Sequence, residues 1–215
     1  MLRMIGRAAA LTGSAAMLAS AAPALAGEVF LGGFAHDSSF GVSGSPHEGG
    51  TYDVQVGYRT AQIQSLWFLL TPMAYAKAQV NTDSRTNFYT LGVEWRKHLF
   101  HSKFYGDFGI GGSYVDGYNT YPDHFDPDST PPPGAGATAA QIARYNSDLH
   151  TFRTRKAMGS DYVFNPNFTL GYDLTQHVAI EGSWEHYSNA GFGGRNPGMD
   201  NYGVRIAYKF GKSAQ

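Results

Sequence analysis

Three side chains near the C-terminal end, His186, Ser188 and Asp200, are of the types that carry out nucleophilic acyl transfer. In that chemistry a hydroxyl attacks a carbonyl and an imidazole takes the hydroxyl proton. A carboxylate fixes the imidazole tautomer and stabilises its charged form. Such residues act together only if the elements that carry them bring them to one face. Here the even positions Val178, Ile180, Gly182 and Trp184 form an apolar or small series, and continuing that parity puts His186 and Ser188 on the same side of a strand. The even positions Tyr202, Val204, Ile206, Tyr208 and Phe210 form a second series that includes Asp200. If the two strands pair antiparallel with Trp184 opposite Tyr202, then His186 lies directly opposite Asp200. Directly opposed Cβ atoms sit about 4.5–5.5 Å apart, within reach of a carboxylate–imidazole hydrogen bond. On residue types and parity alone a second reading stands beside this one: three interfacial polar groups at a strand end, where such groups cost little.

The same alternation organises the rest of the chain. Tyr52, Val54, Val56 and Tyr58 alternate with Asp53, Gln55, Gly57 and Arg59; Tyr89, Leu91, Val93 and Trp95 alternate with Thr90, Gly92, Glu94 and Arg96. Candidate strands fall near 28–36, 51–59, 63–78, 86–97, 103–115, 161–173, 177–188 and 200–210. In a soluble sandwich the apolar face would be the core and the polar face would meet water. Here the polar face carries Gly, Asn, Thr and charges of both signs, while aromatics cluster at strand ends on the other, as in a barrel with lipid outside and a polar interior. The expected fold is therefore all-β, an eight-stranded antiparallel transmembrane β-barrel of the bacterial outer membrane. Short turns near 60–62, 98–102 and 174–176 fall on every second connection, as periplasmic turns do. The longest connection, about 116–160, holds Pro122, Pro127 and Pro131 to Pro133 and is expected to be an external loop with one helical turn around Ala139 to Tyr145. With both termini in the periplasm, the hairpin carrying His186 and Ser188 points outward. The inward charges Asp53, Arg59, Glu94, Arg96, Asp107, Arg205 and Lys209 are expected to form a satisfied polar plug, because eight strands leave little lumen.

Composition removes several other classes. The chain has 215 residues, 16 Lys plus Arg against 17 Asp plus Glu, and no cysteine, so it offers neither a basic field for nucleic acid nor thiol chemistry. Beyond the N-terminus no apolar run is long enough for a membrane-spanning helix. Residues 1–26, with Arg3 and Arg7 before an alanine-rich stretch ending in Ala24-Leu25-Ala26, read as a secretory signal peptide, leaving 27–215 as a single barrel domain. His98 and His101 lack a carboxylate or cysteine to complete a metal set, and the acidic run Asp123 to Asp128 reads as a solvated loop. Gly109, Gly111 and Gly112 lie in a strand with no helix after them, so they are not a dinucleotide motif.

The block His186-Tyr187-Ser188-Asn189-Ala190-Gly191, with Asn196 eight residues after the serine and an acid twelve after it, resembles the PagL family of outer-membrane lipid A 3-O-deacylases. The resemblance implies an eight-stranded barrel with its triad on the lipid-facing outer wall. By position it makes Ser188 the nucleophile, His186 the general base and Asp200 the orienting acid. Asn189, the backbone N–H of Gly191, and Asn196 become candidates for an oxyanion hole or for holding the loop in shape. Trp184, Phe192 and Tyr202 are expected to contact the acyl chain. The chain departs from the family in having Asp where Glu is usual, and in extending from Gly211 to Gln215 beyond the terminal aromatic Phe210. The expected function is a serine esterase that removes a 3-O fatty acyl chain from lipid A of lipopolysaccharide, acting at the external leaflet without metal or organic cofactor. A catalytically silent adhesin, a small-solute channel and a phospholipid esterase remain as alternatives. Whether the barrel works alone or as a homodimer is left open.

Overall fold

The computed structural model describes residues 26–43, 46–192 and 195–211. The signal-peptide reading falls, except for Ala26, outside the described residues, as does the end of the chain beyond Gly211. Eight strands, β1 (Gly27–Ala35), β2 (Tyr52–Thr60), β3 (Met73–Asn81), β4 (Phe88–His98), β5 (Phe104–Val115), β6 (Tyr162–Asp173), β7 (Val178–Tyr187) and β8 (Met199–Phe210), pair antiparallel in sequence order, and β1 closes on β8. Gly27 pairs with both Thr60 and Phe210, so both ends of the barrel domain lie at one rim, the terminal end. The connections 99–103 and 174–177 are at that end; 36–51, 82–87, 116–161 and 188–198 crowd the opposite, loop end.

Alternation explains the wall. Outward positions such as Leu31, Tyr52, Leu91, Phe108, Leu170 and Ile206 are exposed, whereas their neighbours along each strand are buried and mostly polar. An exposed apolar belt around a closed sheet, with every ladder hydrogen bond made inside the protein, is the arrangement a bilayer demands.

The interior is filled. At mid-barrel Glu181 accepts from Arg59 through both oxygens (2.7 and 3.1 Å), from Arg205 Nε (2.8 Å) and from the Tyr105 hydroxyl (2.7 Å). Arg96 makes a bidentate pair with Asp107 (2.8 Å each), and Lys77 pairs with Glu185. The guanidinium groups of Arg59 and Arg205 lie over the Phe30 ring at 4.7 and 4.6 Å. Towards the loop end Phe88, Val115, Met158, Val163, Tyr187 and Met199 form an apolar layer, with the Phe88 and Tyr187 rings stacked at 3.7 Å. These inward charges are paired and packed, leaving a plug rather than a lumen.

Two expectations are corrected. The third strand does not start at 63: residues 64–69 form a 3-10 helical segment, and β3 begins at Met73, directly after Pro72. The run Ile63 to Leu70 has no period-two alternation, and Pro72 has no N–H for a ladder. The connection expected at 60–62 is therefore 61–72. The single helical turn expected in the long loop is a helix, α1 (Ala139–Thr154), started by a capping box in which the Thr138 side chain accepts from Gln141 N and the Gln141 side chain accepts from Thr138 N. Tyr145, Leu149 and Phe152 of α1 pack on Tyr121, Phe125 and Ala157, giving the long connection a small apolar core of its own.

Candidate functional site

The register of β7 on β8 sets Trp184 opposite Tyr202 and His186 opposite Asp200. His186 Nδ1 lies 3.0 Å from Asp200 Oδ1, which also accepts from Trp184 Nε1 at 2.8 Å. The Trp184 and His186 rings are near-parallel, 6.0 Å apart. Ser188 continues the outer face one step beyond β7, where its backbone pairs with Phe164 of β6 (2.7 and 3.1 Å). The histidine thus presents Nδ1 to the acid, leaving Nε2 for a hydroxyl. Among the described residues no hydrogen bond joins Ser188 Oγ to His186, so the structure brings together two of the three expected residues through side chains and the third by strand position alone.

Parity places Asp200 on the lipid side, yet its relative exposure is 0%. The cover is the stretch 38–43 of the 36–51 connection, which lies over the outer wall. Ser43 N–H donates to Asp200 Oδ2 at 2.6 Å, Ser38 N–H donates to the Asp200 carbonyl at 2.7 Å, and Ser43 Oγ comes within 3.4 Å of His186 Nδ1. Gly41 allows the approach: with φ at +140°, a Cβ there would fall 2.5 Å from Asp200 Cγ. Gly198, with φ at +63°, is similarly close, and its Cβ would lie 2.9 Å from Ser43 Oγ. Sequence reasoning missed Gly41 and Ser43. Their contribution is main-chain approach and a main-chain donor, and the one available signal was the glycine itself.

Asn189, Gly191 and Asn196 form one knot. Asn189 Oδ1 accepts from Gly191 N (2.8 Å), its Nδ2 donates to the carbonyls of Met158 (2.9 Å) and Arg195 (2.8 Å), and its own N–H donates to Asn196 Oδ1 (3.1 Å). These bonds tie the 188–198 connection to the long loop, and they occupy the Gly191 N–H. The Asn196 amide nitrogen has no partner among the described residues. The turn after Ser188 puts Ala190 at φ 53° and Gly191 at φ 85°, two successive left-handed residues, and for alanine this is a strained conformation.

Around the pair lies an apolar outer surface. Phe192 is 85% exposed with its ring 6.2 Å from Phe164, and Tyr202 stands against Phe40 at 5.6 Å. Phe40 and Val42 of the covering connection are also exposed and extend this surface. Elsewhere His98 faces Asp173 at 3.3 Å, Asp123 pairs with Arg144, and Asp126 closes its own turn by accepting from Asp128 N.

The closed eight-stranded barrel with an apolar belt and a charged, filled interior is an outer-membrane β-barrel. The family model described as Lipid A 3-O-deacylase (PagL) matches residues 132–209, a stretch that holds α1, β6, β7 and most of β8. Among solved structures, "Crystal structure of the outer membrane enzyme PagL" is similar at 12% identity, over 84% of this chain and 97% of that one, with a TM-score of 0.47. The N-terminal β-barrel domain of Pseudomonas aeruginosa OprF is similar at 10% identity, over 86% and 97%, with a TM-score of 0.48. A set of de novo designed transmembrane β-barrels gives 12% identity over 86% and 95%, with a TM-score of 0.45. No curated protein sequence matches the chain.

Proposed function

We propose that this protein is an outer-membrane serine esterase that removes the 3-O-linked fatty acyl chain from lipid A. The observation that carries the reading is the His186 Nδ1–Asp200 Oδ1 hydrogen bond of 3.0 Å on the outer wall, with Ser188 next on the same face, inside the segment that matches the deacylase family model. Ser188 Oγ turns to His186 Nε2, gives up its proton and attacks the ester carbonyl, forming a tetrahedral intermediate. His186 returns that proton to the sugar oxygen as the C–O bond breaks, leaving an acyl-Ser188. Water, deprotonated by the same histidine, then releases the fatty acid. Asp200 holds the imidazole by Nδ1 and balances its charge. Asn196, whose Oδ1 accepts from Asn189 N and whose Nδ2 has no partner among the described residues, is the side-chain donor for the oxyanion in this reading, while Asn189 and Gly191 fix the loop that carries it. The acyl chain lies along Trp184, Phe192 and Tyr202.

In this reading residues 1–26 direct export and are removed, the loop end faces the cell exterior, and the site stands at the external leaflet where the lipopolysaccharide resides. No metal or organic cofactor takes part. The filled barrel interior supports a catalytic wall over a channel. The test is mass spectrometry of lipid A from cells carrying the wild-type protein or Ser188→Ala at matched levels. Loss of one ester-linked hydroxyacyl chain in the first and full retention in the second is the expected result. Unchanged lipid A with the wild type, or equal deacylation by the variant, overturns it.

A further inference from the structure

Between Arg59 and Lys77 the sequence carries no charged residue. The middle of that stretch, 61–72, is the one long connection at the terminal end of the barrel, where the other two are short turns. Within it Trp67, Phe68, Leu69 and Leu70 follow one another at 74, 63, 48 and 79% exposure. Four adjacent large apolar side chains turned away from the protein are expensive in water and call for an apolar neighbour.

The segment is built for a place where water is scarce. Its backbone closes on itself: Ile63 N donates to Pro72 O (2.9 Å), Leu66 N to Ile63 O (3.0 Å), Leu70 N to Trp67 O (3.0 Å) and Thr71 N to Leu66 O (3.2 Å). Leu69 O accepts from the indole of Trp95 at 2.7 Å. That last bond also fixes direction. Trp95 is an outward residue of β4 one step beyond Glu94, which pairs with Met73 at the start of β3, so the bond holds Leu69 beside the outer face of β4 at the terminal rim. Its apolar surface is thereby continuous with the lipid-facing belt at Trp95 and Phe108, whose rings stack 6.3 Å apart. Irregular backbone is tolerated at membrane depth where its polar groups find partners within the protein, and the bonds just named supply partners for four of its N–H groups and five of its carbonyls.

We propose that residues 64–70 are a membrane anchor that inserts Trp67, Phe68, Leu69 and Leu70 into the acyl-chain boundary of the leaflet at the terminal end, with phospholipid as the occupant of that face. The inference rests on the barrel spanning a membrane and is independent of the esterase reading. If both hold, the anchor fixes the depth of the barrel from one side and so the height of the His186–Asp200 pair at the other.

The chain has no cysteine, so single nitroxide labels can be placed cleanly. Phe68→Cys and Leu70→Cys are compared with Leu91→Cys on the wall and Gln176→Cys in a short turn at the same end, in the full-length barrel in phosphatidylethanolamine–phosphatidylglycerol vesicles. The readout is the collision rate with oxygen, which concentrates in the bilayer, relative to a nickel chelate, which stays in water. Positions 68 and 70 are expected to fall between positions 176 and 91, with an oxygen-to-nickel ratio several-fold above that at 176. Ratios equal to that at 176 place the segment in water and overturn the proposal. Low collision with both reagents together with spin–spin broadening identifies a second copy as the occupant and equally overturns it. Since none of the four side chains is buried in the barrel, both variants are expected to fold, and each reads the outcome on its own.

Discussion

An aspartate on the outer wall of a membrane barrel keeps its charge only when enough donors reach it, and Asp200 has three: Trp184 Nε1, His186 Nδ1 and the Ser43 N–H. The spacing of His186, Ser188 and Asp200 was legible because strand parity and register are simple functions of position. The lid was not, since a main-chain N–H belongs to every residue type, and no periodicity says where the 36–51 connection folds. Gly41 makes this testable. Gly41→Ala puts a methyl against the carboxylate and should shift it, lowering kcat by about a hundredfold with a smaller effect on KM, as misplacement of a catalytic group by about 1 Å does. The same closeness bears on having aspartate where the PagL family that the sequence resembles usually has glutamate. With Gly41 already in contact, the longer side chain of Asp200→Glu must displace the lid, so the variant is expected to be slower than wild type. Asp200→Asn should lose about four orders of magnitude in rate, as triad acids do, and steady-state deacylation assays on folded protein rank all three variants.

At the scale of elements, strands with one apolar and one polar face were readable to within a few residues, and the β7–β8 register followed from them. Where the pattern lapsed, so did the reading: the apolar run before Pro72 resembled strand and is a helical turn, while α1 was underestimated because its exposed surface carries little apolar period and its start depends on Thr138 and Gln141. The covering connection is pinned at its base by His36, buried between Asp53 (2.9 Å) and Glu48 (3.1 Å). Burial opposes the charge on His36, but the hydrogen bonds and charges of those two carboxylates prevail and push its pKa from 6.5 up to about 9. A histidine whose pKa is raised on folding stabilises the fold fully below its unfolded value and loses that contribution as pH climbs through the folded one. The connection should therefore loosen between pH about 6.5 and about 9, seen as growing proteolytic cleavage within 36–51, and His36→Gln should remove that dependence. Cleavage that stays flat across this range in the wild type would show that His36 does not hold the lid.

The whole molecule divides its labour between an interior that holds shape and a wall that meets lipid. Charges of both signs on one strand face announced a plug, but which carboxylate serves which guanidinium depends on barrel closure, which brings strands distant in sequence to a common centre. Glu181 is that centre, with Arg59, Arg205 and Tyr105 all donating to it. Glu181→Ala leaves buried guanidinium groups without their shared anion and should cost about 3–5 kcal/mol, read as an earlier urea midpoint in lipid vesicles. A midpoint shift below about 1 kcal/mol would mean that water or neighbouring carboxylates already share the load.

The central claim is that Ser188, on the outer wall, is a nucleophile activated by His186. The most direct measurement is covalent capture by an alkyl fluorophosphonate delivered in lipid vesicles, followed by peptide mass spectrometry. The expected result is a single phosphonyl adduct on Ser188, lost in His186→Ala and strongly slowed in Asp200→Asn. An unmodified Ser188, or an adduct on Ser43, whose hydroxyl is the one that lies 3.4 Å from this imidazole, would contradict it.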